Sequence, residues 1–208
     1  MSDPPSTLSG MDTIEAEAEG ILRGAGFDPE DPPTIEELAH AVVERVVPHH
    51  GISSAARWVG STRELWINPR LSPRRRAFSI AHELAERHLS RLGYEGEDVE
   101  ARANAIGAAL LVPAPALRFA LRQIGRRLPE LSDVFDVSQS IVALRLGEVT
   151  GSPLALVMDH RVAVRGEPFA WPSAARLVAI AGGREAVPDG IVVEKISDAR
   201  RRAVVKVA

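Results

Sequence analysis

The run Ala81-His82-Glu83-Leu84-Ala85-Glu86-Arg87-His88 sets an imidazole and two carboxylates close together in the chain. These are side chains that hold divalent cations and move protons. Residues four apart on an α-helix lie about 40° apart in azimuth and one turn along the axis. On a helix, His82 and Glu86 therefore point the same way and could grip one cation. Glu83 is displaced by roughly 100° and approaches from the side, where a general base belongs. The pattern is an H-E-x-x-H motif with glutamate in its last position. From this chain's own His and Glu frequencies, such a pattern arises by chance in about 5% of similar sequences. An exposed i,i+4 ion pair between Glu83 and Arg87, with His82 half-buried, would leave the same letters.

The neighbourhood adds to the motif. Phe78, His82, Ala85, Glu86 and Leu89 fall on one mostly apolar stripe, beside a core stripe of Ala77, Ile80, Ala81 and Leu84. A carboxylate among apolar neighbours is costly unless a cation or an arginine compensates it. His88 faces about 120° away from His82 and cannot join it. Farther on, Glu100 shares a helical face with Ala103, Asn104, Gly107 and Leu111. Small residues at 103 and 107 let two helices approach, so Glu100 could cross over as a third ligand. The alternative is an ordinary first-turn glutamate favoured by the helix dipole.

These residues need two helices to position them, and the sequence marks both. Ser72 is a good N-cap and Pro73 suits the first helical position, with a helical pattern running to Arg91. After a loop, Gly93 to Asp98, a second helix runs over Val99–Leu111 and stops before Pro113. Upstream, a helix over 11–23 closes at Gly24 and Gly26, and Thr34 with Glu37 forms a capping box for a short helix. Val42–Pro48, Ala55–Val59 and Glu64–Ile67 read as short strands, with His49-His50 in a turn. Helices near 114–127 and 138–147 follow. Leu154–Met158 and Arg161–Arg165 then form a hairpin around Asp159-His160. A helix over 173–181 and strands near 190–195 and 202–207 end the chain. Segregated helices and antiparallel strands predict an α+β fold.

The sequence resembles the ImmA/IrrE family of metallopeptidases, proteases linked to phage-type repressors and bacterial stress responses. The family pattern R-x-R-F-x-x-A-H-E-x-x-H is echoed by Arg74-Arg75-Arg76-Ala77-Phe78-Ser79-Ile80-Ala81-His82-Glu83. Its second part, E-x-x-A-N-x-F-A-A-x-L-L-M-P, is echoed by Glu100 to Pro113, including Ala103-Asn104 and Leu110-Leu111-Val112-Pro113. The likeness extends loosely over about 12–150. It implies a zincin-like domain with a small antiparallel sheet and an active-site helix, then a helical segment and a small C-terminal α/β tail. It implies His82 and Glu100 as metal ligands and Glu83 as general base. Glu86 stands where the family has its second histidine. Glutamate can ligate zinc, but one His with two carboxylates is a harder, more anionic site. Such a site holds Zn2+ less tightly and accepts Mn2+ or Fe2+ more readily.

The chain has 208 residues, 45% of them hydrophobic and 25% charged, with net charge −3 and no cysteine. Without cysteine there is no disulfide scaffold, zinc finger, iron–sulfur site or thiol nucleophile. Any metal must rest on histidine and carboxylate. No signal-peptide pattern or membrane-spanning run is evident, which predicts a cytoplasmic protein. We expect a disordered leader over 1–10, a metallopeptidase domain over 11–150 and an extension over 151–208 packed on that domain.

The expected function is metal-dependent cleavage of a protein, such as a helix-turn-helix repressor or another regulator of a stress or phage response. One alternative is a pseudoprotease that binds its partner without cutting it. Another is a DNA-binding module, because Leu131 to Glu148 can be read as helix–turn–helix and Arg118, Arg122 and Arg126 share helical spacing. The charge balance opposes that reading. Tyr94, Arg145 and His160 are the available donors for an oxyanion, and none follows from spacing.

Overall fold

The structure is a computed structural model that describes residues 7–96, 98–158, 161–165, 173–181, 184–187, 191–197 and 202–207. Helix α1 (Thr7–Gly24) begins before the expected residue 11. Helix α2 (Ile35–Val42) starts on the capping box read from the sequence. The Thr34 hydroxyl accepts from the Glu37 N–H at 3.3 Å, and the Glu37 carboxylate accepts from the Thr34 N–H at 2.8 Å. Because α2 continues through Val42, the strand expected from Val42 begins only at Arg45.

Strands β1 (Arg45–Pro48), β2 (Ala56–Val59) and β3 (Glu64–Ile67) form a sheet in the order β1-β3-β2. β1 runs parallel to β3 and β2 antiparallel to it, so the sheet is mixed where an antiparallel one was expected. The reason is chain path. The tight β2–β3 hairpin, turning through Arg63 at φ 55°, returns β3 to the middle of the sheet beside β1 and leaves β2 at an edge.

Helix α3 (Pro73–Arg91) has the limits its sequence signals predict. Its inner face buries Ile80, Leu84 and Leu89, each contributing about 1.5–3 kcal/mol of transfer free energy. Helix α4 (Asp98–Leu111) packs across it with a nearly continuous buried face of Ala103, Ile106, Gly107 and Leu110. Helix α5 (Ala114–Ile124) stops at Gly125, which takes φ 71°, short of the expected residue 127. That left-handed conformation favours glycine and breaks the helix. Arg126 therefore lies off the helix that carries Arg118 and Arg122.

Two compact units emerge: Met1–Gly125 with Phe135–Val137, and Arg126–Val134 with Ser138–Ala208. In the first, Leu22, Leu38, Leu65, Ile80, Leu89 and Ile106 are buried in one core. The second holds α6 (Leu128–Val134), which the sequence reading did not separate, and α7 (Gln139–Thr150), capped by Ser138. It also holds an antiparallel sheet, β5-β4-β7-β6, built from Leu154–Met158, Arg161–Arg165, Ile191–Ser197 and Arg202–Val207. Helix α8 (Ala174–Ala181) covers that sheet, with Leu177 packed on Ala155, Val157 and Val205. Asp159-His160, expected from the sequence at a hairpin turn, lies outside the described residues, as do residues 1–6.

The described residues thus form an α+β protein with eight helices and two small sheets. Among them, no single helix is long and apolar enough to cross a membrane.

Candidate active site

His82, Glu83 and Glu86 stand on α3, Glu100 and Asn104 on α4, and the edge strand β2 passes beside them. Gly107 lets the helices meet. A Cβ at that position would lie 3.1 Å from the His82 backbone nitrogen and 3.3 Å from the His82 Cα. With that atom missing, α4 carries Glu100 and Asn104 to the exposed end of His82. The His82 Nε2 atom lies 3.6 Å from a Glu100 carboxylate oxygen and 3.9 Å from one of Glu86.

Asn104 links the set. Its side-chain Nδ2 donates to Glu100 Oε1 at 3.1 Å, and its Oδ1 stands 3.1 Å from His82 Nδ1. A carboxylate only accepts hydrogen bonds, so the amide nitrogen must be the atom that faces Glu100. The amide oxygen then faces His82, whose Nδ1 must carry the hydrogen. In neutral imidazole this leaves Nε2 with a lone pair, on the side where both carboxylates lie.

Glu83 departs from the ion-pair alternative. Its Oε2 accepts the backbone N–H of Trp58 on β2 at 2.7 Å, while Arg87 lies over the Trp58 ring, 4.8 Å from its centroid. Burial is the main cause raising the Glu83 carboxyl above the ordinary glutamate range. The Trp58 N–H opposes that rise and the nearby Glu86 charge adds to it. A carboxylate fixed through one oxygen and poised upward in pKa suits a group that takes and returns a proton.

A cleft of about 330 Å³ opens over His82, Glu83, Glu100 and Asn104, bounded also by Arg75 and Ser54. A second, of about 460 Å³, continues past Glu83 and Glu86 along Arg57 and Trp58. Glu83 and the β2 residue Ala56 line both, so the open ground follows the strand edge.

The donor set can be tested against a cation. A tetrahedral ion with bonds of about 2.1 Å separates its ligands by about 3.4 Å. The His82–Glu100 separation is near that value and the His82–Glu86 separation is wider. Among the described residues, no three His, Asp or Glu side chains are gathered at metal-binding geometry. The three side chains are neighbours, and they supply the nitrogen and oxygen donors that bind divalent cations. In that sense they fit.

One expectation needs correction. Glu86 was expected among apolar neighbours, yet its side chain is 50% exposed, and that of Glu100 is 71% exposed. No cost of burial calls for a compensating cation at either one, because the stripe containing Glu86 emerges into solvent at the cleft. The proposed oxyanion donors also fare differently. Tyr94 stacks on Arg102, with the guanidinium 4.7 Å from its ring centroid. Arg145 is buried and pairs with Glu148 at 2.9 Å. His160 lies outside the described residues. Sequence reasoning missed the Trp58 N–H, Arg75 and the linking role of Asn104. Only the last left a signal, its i,i+4 spacing from Glu100.

The site thus sits in an α+β domain whose central helix carries the H-E-x-x-E motif. Residues 35–147 match the model of the IrrE N-terminal-like domain, peptidase family M78, and the chain belongs to that family. Among solved structures, a Mycobacterium tuberculosis transcriptional regulator is similar in fold, with a TM-score of 0.64 and 18% sequence identity. The likeness covers 93% of this chain and 74% of the regulator. No curated protein matches.

Proposed function

We propose that the chain is a cytoplasmic metalloendopeptidase that cuts a protein substrate, with His82, Glu86 and Glu100 as metal ligands and Glu83 as general base. The observation that carries this is His82 Nε2 lying 3.6 and 3.9 Å from carboxylate oxygens of Glu100 and Glu86 on two different helices, beside the half-buried Glu83 on the same cleft. A zincin-like arrangement follows, with Zn2+ the expected ion and Mn2+ or Fe2+ accommodated by the oxygen-rich set. When bound, the cation supplies Lewis-acid polarisation of the scissile carbonyl and activates water.

The chain's own groups do the rest. Trp58 N–H fixes one oxygen of Glu83, leaving the other to take a proton from water and return it to the leaving amine. The cleft beside β2 receives an extended peptide at the strand edge, and Arg75 and Arg57 line it. A transcriptional regulator is the substrate class that the family resemblance implies.

The test is metal content of the purified protein beside Glu86→Ala and Glu86→His. Wild type is expected to hold close to one equivalent of divalent metal, Glu86→Ala to lose it, and Glu86→His to bind zinc more tightly. A wild type that takes up no metal, even when supplied with zinc or manganese, would overturn the peptidase assignment. Glu86 itself favours the second reading, a partner-binding pseudoprotease, which that result would leave standing.

A further inference from the structure

We infer that Asn104 is a positioning residue that organises two of the proposed ligands at once. It sets the tautomer of His82 through Nδ1 and aims the Glu100 carboxylate by holding Oε1. The inference rests on the metal-site assignment above, but its first consequence concerns the imidazole alone.

Three observations converge. Asn104 Nδ2 donates to Glu100 Oε1, and Oε2, the other carboxylate oxygen, is the one 3.6 Å from His82 Nε2. The Asn104 carbonyl meets His82 Nδ1. Gly107, one turn along α4, lets that helix lie against the His82 backbone, where a Cβ would stand 3.1 Å from the His82 nitrogen. Each bond fixes the sense of the next. The acceptor-only carboxylate orients the amide, the amide orients the imidazole, and the imidazole presents Nε2 to the carboxylates. Hydrogen bonding to the far nitrogen is the usual means by which a metal-binding histidine is held in one tautomer. Here one neutral side chain performs that service and also restrains a carboxylate that is otherwise largely exposed.

Two variants separate the two contacts. Asn104→Ala removes both while keeping a strong helix former, so the helix should persist. Asn104→Asp keeps an acceptor for His82 but replaces the donor to Glu100 with a like charge. The measurements are the His82 tautomer, by nitrogen-15 NMR of the metal-free protein near neutral pH, and zinc affinity by competition with a chelator, with thermal melting as a control.

In wild type, His82 should carry its hydrogen on Nδ1. Asn104→Ala should lose that preference and bind zinc about 10- to 100-fold more weakly, with its melting temperature retained. Asn104→Asp should keep the Nδ1–H form yet still bind zinc more weakly than wild type. If wild type binds zinc and Asn104→Ala binds it equally well, the positioning role is overturned while the metal assignment survives. If wild type binds no zinc, the metal assignment falls and the tautomer decides: hydrogen on Nε2 overturns the role, and hydrogen on Nδ1 that depends on Asn104 upholds it.

Discussion

At the scale of single residues, the proposed mechanism divides the work between groups that hold charge and a group that moves protons. It assigns Glu83 to the second kind, and the turn of its carboxylate to β2 rather than toward Arg87 supports that assignment. Glu83→Gln keeps a side chain of the same shape and an acceptor for the Trp58 N–H, but removes the base. Peptidase turnover is expected to fall by about 100-fold or more, with metal content unchanged when both are measured on the same preparation. Parallel loss of metal and activity would instead place Glu83 among the ligands. The motif letters were legible at this scale, and so was the i,i+4 alignment of His82 with Glu86. The exposure of Glu86 was not, because a helical stripe gives azimuth but not where a neighbouring element ends and solvent begins.

At the scale of elements, the α3–α4 contact and the three-stranded sheet hold the site. Gly107→Ala would ordinarily favour a helix by about 1 kcal/mol. Here the new Cβ meets backbone of α3, which cannot rotate away, and overpacking costs about 1–3 kcal/mol. A net loss of stability on the order of 1 kcal/mol is expected by denaturant unfolding, together with weaker metal binding as His82 moves from Glu100. An unchanged midpoint with full metal affinity would show that the helices can separate freely.

The sheet carries a titrating support of its own. Buried Glu64 accepts from the Trp66 indole at 2.9 Å, from Arg45 Nε at 3.0 Å and from Thr62 at 3.1 Å. The Trp66 bond first, and then the Arg45 bond, hold its carboxyl below the ordinary glutamate range. A pKa lowered by folding means that the unfolded chain takes up the proton first. The contribution to stability is therefore present above the ordinary glutamate range and lost as the pH falls through the lower, folded value. Glu64→Gln should flatten the acid limb of a stability–pH curve relative to wild type. Parallel curves for the two proteins would rule that contribution out. The short strands were legible from composition, but the parallel β1–β3 pairing was not, because local sequence does not say which strand a hairpin returns beside.

At the scale of the whole molecule, the DNA-binding alternative loses its physical support. Every residue of α7 is buried or half-buried, and its arginine, Arg145, is paired with Glu148. The basic stripe ends at Gly125, and Arg126 instead donates to Ser152 at 2.8 Å. With net charge −3 as well, the protein is expected to show no salt-dependent affinity for duplex DNA in fluorescence anisotropy at low salt. Tight binding that weakens steeply with added salt would reverse that conclusion.

The sequence by itself determined the two helices, the capping box, the H-E-x-x-E spacing and the dependence of any metal on histidine and carboxylate. Each of these follows from local geometry or from residue type, which the chain carries without reference to its distant parts. Only the tertiary structure decided that Trp58 engages Glu83, that Asn104 links His82 to Glu100, and that Glu86 and Glu100 stand in solvent. Those outcomes depend on how closely α4 approaches α3 and on which strand forms the sheet edge. Both are set by packing between segments far apart in the chain, where the absence of one Cβ at Gly107 allows the approach.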